Sequence, residues 1–155
     1  MRSEIIASLL ALTAPALAGR EETVKVSHLS VHKLGSPVGD TIESVSFKLN
    51  GDNAKDLECS ASNFAFPEPI QIFRCGESDY SFALFAGEDG VDFAAMLYHD
   101  VGDSHADLRG LSNVNTVCDN SHGSDPADEI CTQGKPVTFV IDGPVGSSPG
   151  DGDEL

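Results

Sequence analysis

Histidine beside aspartate is the first combination of residues in this sequence that could support chemistry. His99 and His105 flank residues 100–104, and a histidine–aspartate cluster of that kind can hold a metal ion or act as an acid–base pair. The alternative, which the sequence favours, is a solvent-exposed hairpin loop. His28 and His32 lie four residues apart, which in a strand is about 13 Å and too far to share one ion.

Aspartate in the turns is the second chemical feature. The chain has 15 Asp and 10 Glu, and many of the aspartates stand beside glycine. Carboxylate oxygens are hard ligands of the kind calcium prefers. If the strands run up and down, alternate loops meet at one end, and a metal site would draw on Asp52, Asp79, Asp100 and Asp103. No cofactor is required, and calcium is the one candidate; the alternative is an ordinary acidic surface that keeps the protein soluble.

Motifs of familiar catalytic sites are missing from the sequence. There is no His-Glu-x-x-His, no Gly-x-Ser-x-Gly and no Gly-x-x-x-x-Gly-Lys. A catalytic triad can also assemble from scattered residues, so a secreted hydrolase stays an alternative. We assign no residue a catalytic role and expect a protein that acts by binding.

Alternation of apolar and polar residues predicts the strands that would position these side chains. Residues 45–49, 80–84, 91–97 and 137–141 each bury one face. Turn clusters rich in Gly, Asp, Ser and Pro recur roughly every ten to fifteen residues, which is typical of sandwiches and barrels. The sequence therefore predicts an all-β fold: a single-domain antiparallel β-barrel or sandwich.

The first strand changes its pattern near His28. By simple alternation Val24 and Val26 lie on one face, whereas Leu29 and Val31 lie on the other. An extra residue in a strand restores a common face, so we predict a β-bulge at this position.

The two ends of the chain differ from its body. Residues 1–18 combine Arg2, an apolar run and Ala-Leu-Ala, which predicts a secretory signal peptide rather than a buried helix. Residues 19–142 form the predicted β-domain. Residues 143–155 are an acidic Gly/Ser/Pro-rich segment that we predict to be flexible.

The charge balance excludes two classes of partner. With 9 Lys+Arg against 25 Asp+Glu, the formal net charge is -16. A chain this acidic repels nucleic-acid phosphates and anionic membrane surfaces. A basic protein partner would instead be attracted to it.

Four cysteines in an exported domain predict two disulfides. Three connectivities are open to Cys59, Cys75, Cys118 and Cys131. We prefer Cys59–Cys75 with Cys118–Cys131, because each pair closes a short loop between adjacent elements. A zinc site is the competing use of these residues, but the sequence contains no Cys-x-x-Cys.

Residues in and just after the first disulfide loop are candidates for partner binding. Phe64 and Phe66 stand next to two prolines, so they could form a rigid exposed edge. The alternative is that both rings cap the core. Glu77 and Asp79 supply negative charge in the turn after Cys75. The aromatic residues could also line a cavity for a small ligand, although they serve more often as core.

The segments around the cysteines resemble a known family. Residues 57–61 (Leu-Glu-Cys-Ser-Ala), 73–78 (Phe-Arg-Cys-Gly-Glu-Ser), Cys118 and 130–134 (Ile-Cys-Thr-Gln-Gly) are similar to the secreted fungal family typified by the major Alternaria allergen. The resemblance runs from about Val24 to Ile141. Length and charge also resemble those of a secreted Verticillium elicitor of that family.

The resemblance implies a fold, a location and a class of partner. It implies a compact β-barrel or sandwich with Cys59 bonded to Cys75 and Cys118 to Cys131. It further implies a fungal effector or elicitor in the host apoplast that modulates plant defence by binding a pathogenesis-related, thaumatin-like protein. Some relatives are thought to carry flavonoid-like ligands. The typical allergen has a further cysteine that links two chains; residues 19–58 contain none, so a covalent dimer is not expected.

Overall fold

Ten antiparallel β-strands make up the part of the chain that the structure, a computed structural model, describes: residues 21–102 and 107–142. The strands are β1 (Glu21–Leu34), β2 (Asp40–Gly51), β3 (Ala54–Phe66), β4 (Phe73–Arg74), β5 (Tyr80–Ala86), β6 (Phe93–Asp100), β7 (Asp107–Val114), β8 (Thr116–Asp119), β9 (Asp128–Gln133) and β10 (Val137–Asp142). No helix among these residues is long and apolar enough to cross a membrane. The predicted signal peptide and the C-terminal segment lie outside the described residues.

The strands form one sheet that curls into a nearly closed barrel. Its order is β3-β2-β1-β10-β7-β6-β5-β4, with β9 beside β1 and β8 beside β9. Strand β1 pairs with β10 through Glu21–Val26 and with β9 through Ser30–Leu34. The all-β prediction is confirmed, and of the two architectures that the sequence left open the barrel is the one formed.

The bulge predicted near His28 is confirmed. The pairing of β1 with β2 skips between Ser27 and Ser30, and His28 has a φ of 57°. Because the bulge shifts the alternation by one residue, Val24 and Val31, which lie on either side of it, are both buried. Strand β1 therefore contributes buried side chains to the core on both sides of the bulge.

The core follows the predicted alternation in the central strands. Phe47 of β2 packs edge-on against Phe82 of β5, with ring centroids 5.0 Å apart. Tyr80, Phe82 and Leu84 are all buried, as are Phe93, Ala95 and Leu97 of the neighbouring strand. Three expected core positions differ: Val91 precedes β6, and Val137 and Phe139 are only partly buried.

Both predicted disulfides are present. Cys59 of β3 is bonded to Cys75, which follows β4, so this disulfide joins the two ends of the strand order where the sheet does not pair. Cys118 and Cys131 are directly opposite each other in β8 and β9. The first bond closes the barrel and the second holds the β8–β9 hairpin together.

Candidate functional site

A cluster of buried polar side chains interrupts the apolar core at one end of the barrel. It consists of Glu22 from β1, Tyr80 from β5 and His99 from β6, and we call it the Glu22 cluster. Each side chain is at most 2% exposed. Tyr80 and His99 are register partners in adjacent strands, whereas Glu22 reaches them from across the barrel interior.

The carboxylate of Glu22 is the centre of this cluster. Its Oε1 accepts hydrogen bonds from the Tyr80 hydroxyl at 2.5 Å and from the Asp52 backbone N–H at 2.7 Å. Its Oε2 lies 2.5 Å from Nδ1 of His99. A buried carboxylate needs partners on both oxygens, because an unpaired buried charge is strongly unfavourable. The three donors meet that need.

The two rings of the cluster support each other. Tyr80 stacks on His99 with centroids 3.9 Å apart and planes 12° from parallel. Burial raises the pKa of Tyr80 well above its ordinary value, and the hydrogen bond to Glu22 raises it further. Tyr80 therefore stays protonated and continues to donate to Glu22.

The turn between β2 and β3 packs tightly on the cluster. The Asn53 backbone N–H donates to the Tyr80 hydroxyl at 3.1 Å. A Cβ atom on Gly51 would lie 2.5 Å from Oε1 of Glu22 and 2.8 Å from the Tyr80 hydroxyl. Glycine is thus needed at position 51 for the backbone to approach these polar atoms.

An acidic cavity of about 490 Å³ opens above the cluster. Glu22 and His99 form part of its wall, and its other carboxylates come from Glu21, Asp52, Asp79 and Asp100. The described residues that line it include no Lys or Arg. This end of the barrel therefore carries a concentration of negative charge.

Three of the four predicted metal ligands line this one cavity. Asp52 and Asp79 lie in the β2–β3 and β4–β5 turns and Asp100 ends β6, so alternate connections meet at the same end of the barrel, as the up-and-down argument predicted. Asp103, like His105, lies outside the described residues. In the described ranges the one group of three candidate ligand atoms within 4.8 Å of one another is that of Cys118, Glu129 and Cys131. Its sulfurs are in a disulfide, so calcium binding stays a prediction.

The interpretation of His99 changes with the structure. The sequence favoured a solvated loop, but His99 is buried and its partner is Glu22 rather than Asp100. The signal was present: His99 continues the alternation of buried Phe93, Ala95 and Leu97 in β6. Glu22 and Tyr80 likewise continue the buried faces of their own strands.

The partner-binding candidates divide into buried and exposed residues. Phe64 and Phe66 are 6% and 7% exposed, so the predicted exposed aromatic edge is wrong and the capping alternative is correct. Phe64 packs on Phe73 and Phe66 packs on Phe93, because β3 turns these alternate side chains inward. Glu77 and Asp79 are exposed, as partner binding requires.

A second histidine lies between carboxylates near the opposite end of β1. His32 Nε2 is 2.6 Å from Asp128, and its Nδ1 is 3.1 Å from Glu43; we call this group the His32 bridge. Hydrogen bonds from Ser124, and then the contact with His32, lower the pKa of Asp128. A carboxylate only accepts hydrogen bonds, so Nε2 of His32 is the donor to Asp128.

Comparison with known proteins gives consistent results. The model of the family described as Alternaria alternata allergen 1 matches residues 26–131. Effector protein PevD1 of Verticillium dahliae is 36% identical over 141 residues, covering 85% of this chain and 84% of that protein. Two crystal structures of the Alternaria alternata major allergen Alt a 1 match with TM-scores of 0.57 and 0.58 at 21% identity. They cover 79% of this chain and 94% and 89% of theirs, and this likeness shows the fold.

Proposed function

Because the chain belongs to the Alternaria alternata allergen 1 family, we propose that it is a secreted fungal effector that modulates plant defence by binding a host apoplastic protein. The observation that carries the proposal is the 36% identity to effector protein PevD1 over 85% of the chain. The protein acts by binding, without catalysis. Its partner is a basic protein of the pathogenesis-related, thaumatin-like class.

The charge distribution supports a basic partner. The chain carries a formal net charge of -16, and its few cations are partly engaged within the molecule. Lys33 lies 3.8 Å from Asp40 and 3.6 Å from Glu129, and Lys48 lies 3.3 Å from Glu58. A negative field of this kind raises the association rate with a positively charged protein and weakens as salt is added.

The turn that carries Glu77 and Asp79 is the proposed acidic contact. Both residues are exposed, and Asp79 also lines the acidic cavity. The Cys59–Cys75 disulfide and the hydrogen bond from the Ser78 hydroxyl to the Cys75 carbonyl hold this turn in place. A partner would therefore meet carboxylates that are already ordered.

Binding kinetics with a purified basic thaumatin-like protein test the proposal. We expect association to slow about tenfold between low and high salt. The double variant Glu77→Gln/Asp79→Asn should slow association several-fold at low salt. Glu88→Gln/Asp89→Asn is the matched control, since it removes the same charge from the turn at the other end of β5 and β6. Absence of binding, or binding that ignores salt, would contradict the proposal.

Calcium binding is the second candidate function, favoured by one observation. Asp52, Asp79 and Asp100 converge on a single cavity without a balancing Lys or Arg among its described lining residues. A cation there would relieve the repulsion between the carboxylates. A thermal melt with calcium and with excess chelator tests this candidate, because a ligand held by the folded state alone raises the melting temperature. Equal melting temperatures would exclude it.

A further inference from the structure

Apolar side chains form a continuous row on the outside of the barrel. The row runs across five neighbouring segments, and we call it the outer row: Ile72, Ala83, Met96, Leu111 and Val140. The pairing registers place Ala83 opposite Met96 and Met96 opposite Leu111.

Its two ends follow from the registers of the outer pairs. Asp142 of β10 pairs with Arg109 of β7. Because these strands are antiparallel, Val140, two residues before Asp142, lies opposite Leu111, two residues after Arg109. At the other end Phe73 pairs with Phe82, which places Ile72 beside Ala83.

The outer row departs from the pattern of the rest of the sheet. An antiparallel barrel normally turns polar residues outward, and the inward positions of these strands are already filled by core side chains such as Phe82 and Leu97. Ile72, Leu111 and Val140 are nevertheless 61%, 49% and 45% exposed. These are three of the seven exposed large apolar side chains among the described residues, and the registers place all three in one row.

Smaller members of the row make it continuous. Ala83 is fully buried although its alternation places it on the outside. Met96 is half-buried beside it. The registers therefore join these residues in one apolar strip across neighbouring strands rather than leaving them as separate residues.

Acidic residues lie along one side of this strip. Glu21 and Asp142 are register partners, and Asp142 is two residues after Val140 in β10. Asp79 and Asp100 lie at the rim of the acidic cavity. Two cations lie on that side: Arg109, between Asp142 and Tyr98, and Arg74, opposite Ser81 in the same row. An apolar centre with a charged margin is the usual anatomy of a protein–protein interface.

We propose that the outer row is the docking surface for the basic host protein, with the acidic cavity rim steering that partner onto the strip. This inference rests on the proposed function and names the surface that performs it. Charge complementarity decides the occupant: a second copy of this chain would bring a further net charge of -16 to the same margin, whereas a basic partner would neutralise it.

Two matched double variants test the assignment. Leu111→Thr/Val140→Thr removes two exposed apolar side chains from the strip. Val117→Thr/Ile130→Thr is the control on β8 and β9, where the side chains of Val117 and Ile130 are 73% and 38% exposed. Threonine keeps the strand preference of the residues it replaces. Affinity for a purified basic thaumatin-like protein is measured for each variant, and thermal melting confirms that each is folded.

We expect Leu111→Thr/Val140→Thr to weaken binding about tenfold, mainly through faster dissociation, and the β8–β9 variant to bind like the wild type. Equal binding by both variants and the wild type would overturn the outer row as the docking surface while leaving the proposed function intact. A wild type that does not bind at all would overturn the proposed function and this inference with it. Sedimentation showing a dimer that the outer-row variant abolishes would identify a second copy as the occupant and overturn the inference.

Discussion

The Glu22 cluster and the His32 bridge use the same pair of chemical groups in opposite surroundings. In the cluster, a histidine and a carboxylate are each at most 2% exposed. In the bridge, the side chains of His32 and Glu43 are 29% and 42% exposed. Water therefore reaches the side chains of the bridge more readily than those of the cluster. The comparison teaches that burial, more than distance, decides what each pair contributes to stability.

The two histidines also differ in the partners of their ring nitrogens. His32 has a carboxylate at each nitrogen, Asp128 at 2.6 Å and Glu43 at 3.1 Å. His99 has Glu22 at Nδ1 and the Asn53 side-chain amide 3.5 Å from Nε2. One carboxylate and one amide therefore face His99, where two carboxylates face His32.

Truncation of the two glutamates gives the largest expected contrast. Glu22→Ala removes the acceptor for Tyr80, His99 and the Asp52 backbone, leaving buried donors unpaired, and should lower the free energy of unfolding by about 3–5 kcal/mol. Glu43→Ala, its control in the His32 bridge, should lower it by at most about 1 kcal/mol. Urea unfolding of the oxidised protein measures both. Similar losses for the two variants would show that burial does not separate the regions.

Added bulk beside the cluster should have the next largest effect. Gly51→Ala places a methyl group against the oxygens of Glu22 and Tyr80, and a clash in a packed interior costs about 1–3 kcal/mol. Gly134→Ala is the control, because a Cβ there meets nothing within 4 Å. The expected order of urea midpoints is Gly51→Ala below the wild type, with Gly134→Ala close to the wild type. A tolerated alanine at position 51 would mean that the turn can move away from the cluster.

Much of this architecture could be predicted from the sequence, since the signals were local. Alternation fixed the core faces of β2, β5 and β6, and the change of pattern at His28 located the bulge. Short spacing favoured the disulfide pairing that the structure has. Convergence of the loops carrying Asp52, Asp79 and Asp100 followed from connectivity alone.

The Glu22 cluster could be predicted only in part. Alternation places Glu22, Tyr80 and His99 on the inward faces of their strands, if polar residues are allowed to occupy core positions. Their meeting could not be predicted, because β1 is not adjacent to β5 or β6 in the sheet, and closure of the barrel brings them together. The prediction of an exposed edge at Phe64 and Phe66 was wrong for a related reason. Nearby prolines suggested an exposed loop, whereas β3 extends through Phe66 and turns both rings inward.

The next two variants each remove one tyrosine hydroxyl, buried in one case and partly exposed in the other. Tyr80→Phe removes a donor to Glu22 and an acceptor for the Asn53 N–H, and should lower the free energy of unfolding by about 1–2 kcal/mol. Tyr98→Phe should change it by less than about 0.5 kcal/mol, since Tyr98 is only partly buried. Chemical unfolding near neutral pH provides both values, and an equal effect of the two changes would contradict the assigned hydrogen bonds.

The same tyrosine predicts an alkaline effect whose sign follows from its raised pKa. In the unfolded chain tyrosine ionises near pH 10, whereas folded Tyr80 keeps its proton to higher pH. The unfolded state then binds fewer protons than the folded state, so stability falls as pH rises above about 10. Tyr80→Phe should lose stability less steeply than the wild type over that range. Parallel curves for the two proteins would contradict a raised pKa for Tyr80.

The smallest expected effect lies in the His32 bridge and appears on acidification. Because hydrogen bonds from Ser124 and His32 lower the pKa of Asp128, its carboxylate binds protons less readily in the folded chain than in the unfolded one. The stability it contributes is present above about pH 4 and is lost as pH falls through the folded pKa. Asp128→Asn should therefore reduce the urea midpoint slightly at pH 7 and narrow the gap between the midpoints at pH 7 and at pH 3. Asp89→Asn, in an exposed turn, is the control and should leave that gap unchanged. If the urea midpoints of Asp128→Asn at pH 7 and at pH 3 differ as much as those of the wild type, the bridge responds to acid no more than an unpaired surface carboxylate does. The difference in stability contributed by the buried cluster and by the exposed bridge would then be larger than burial alone predicts.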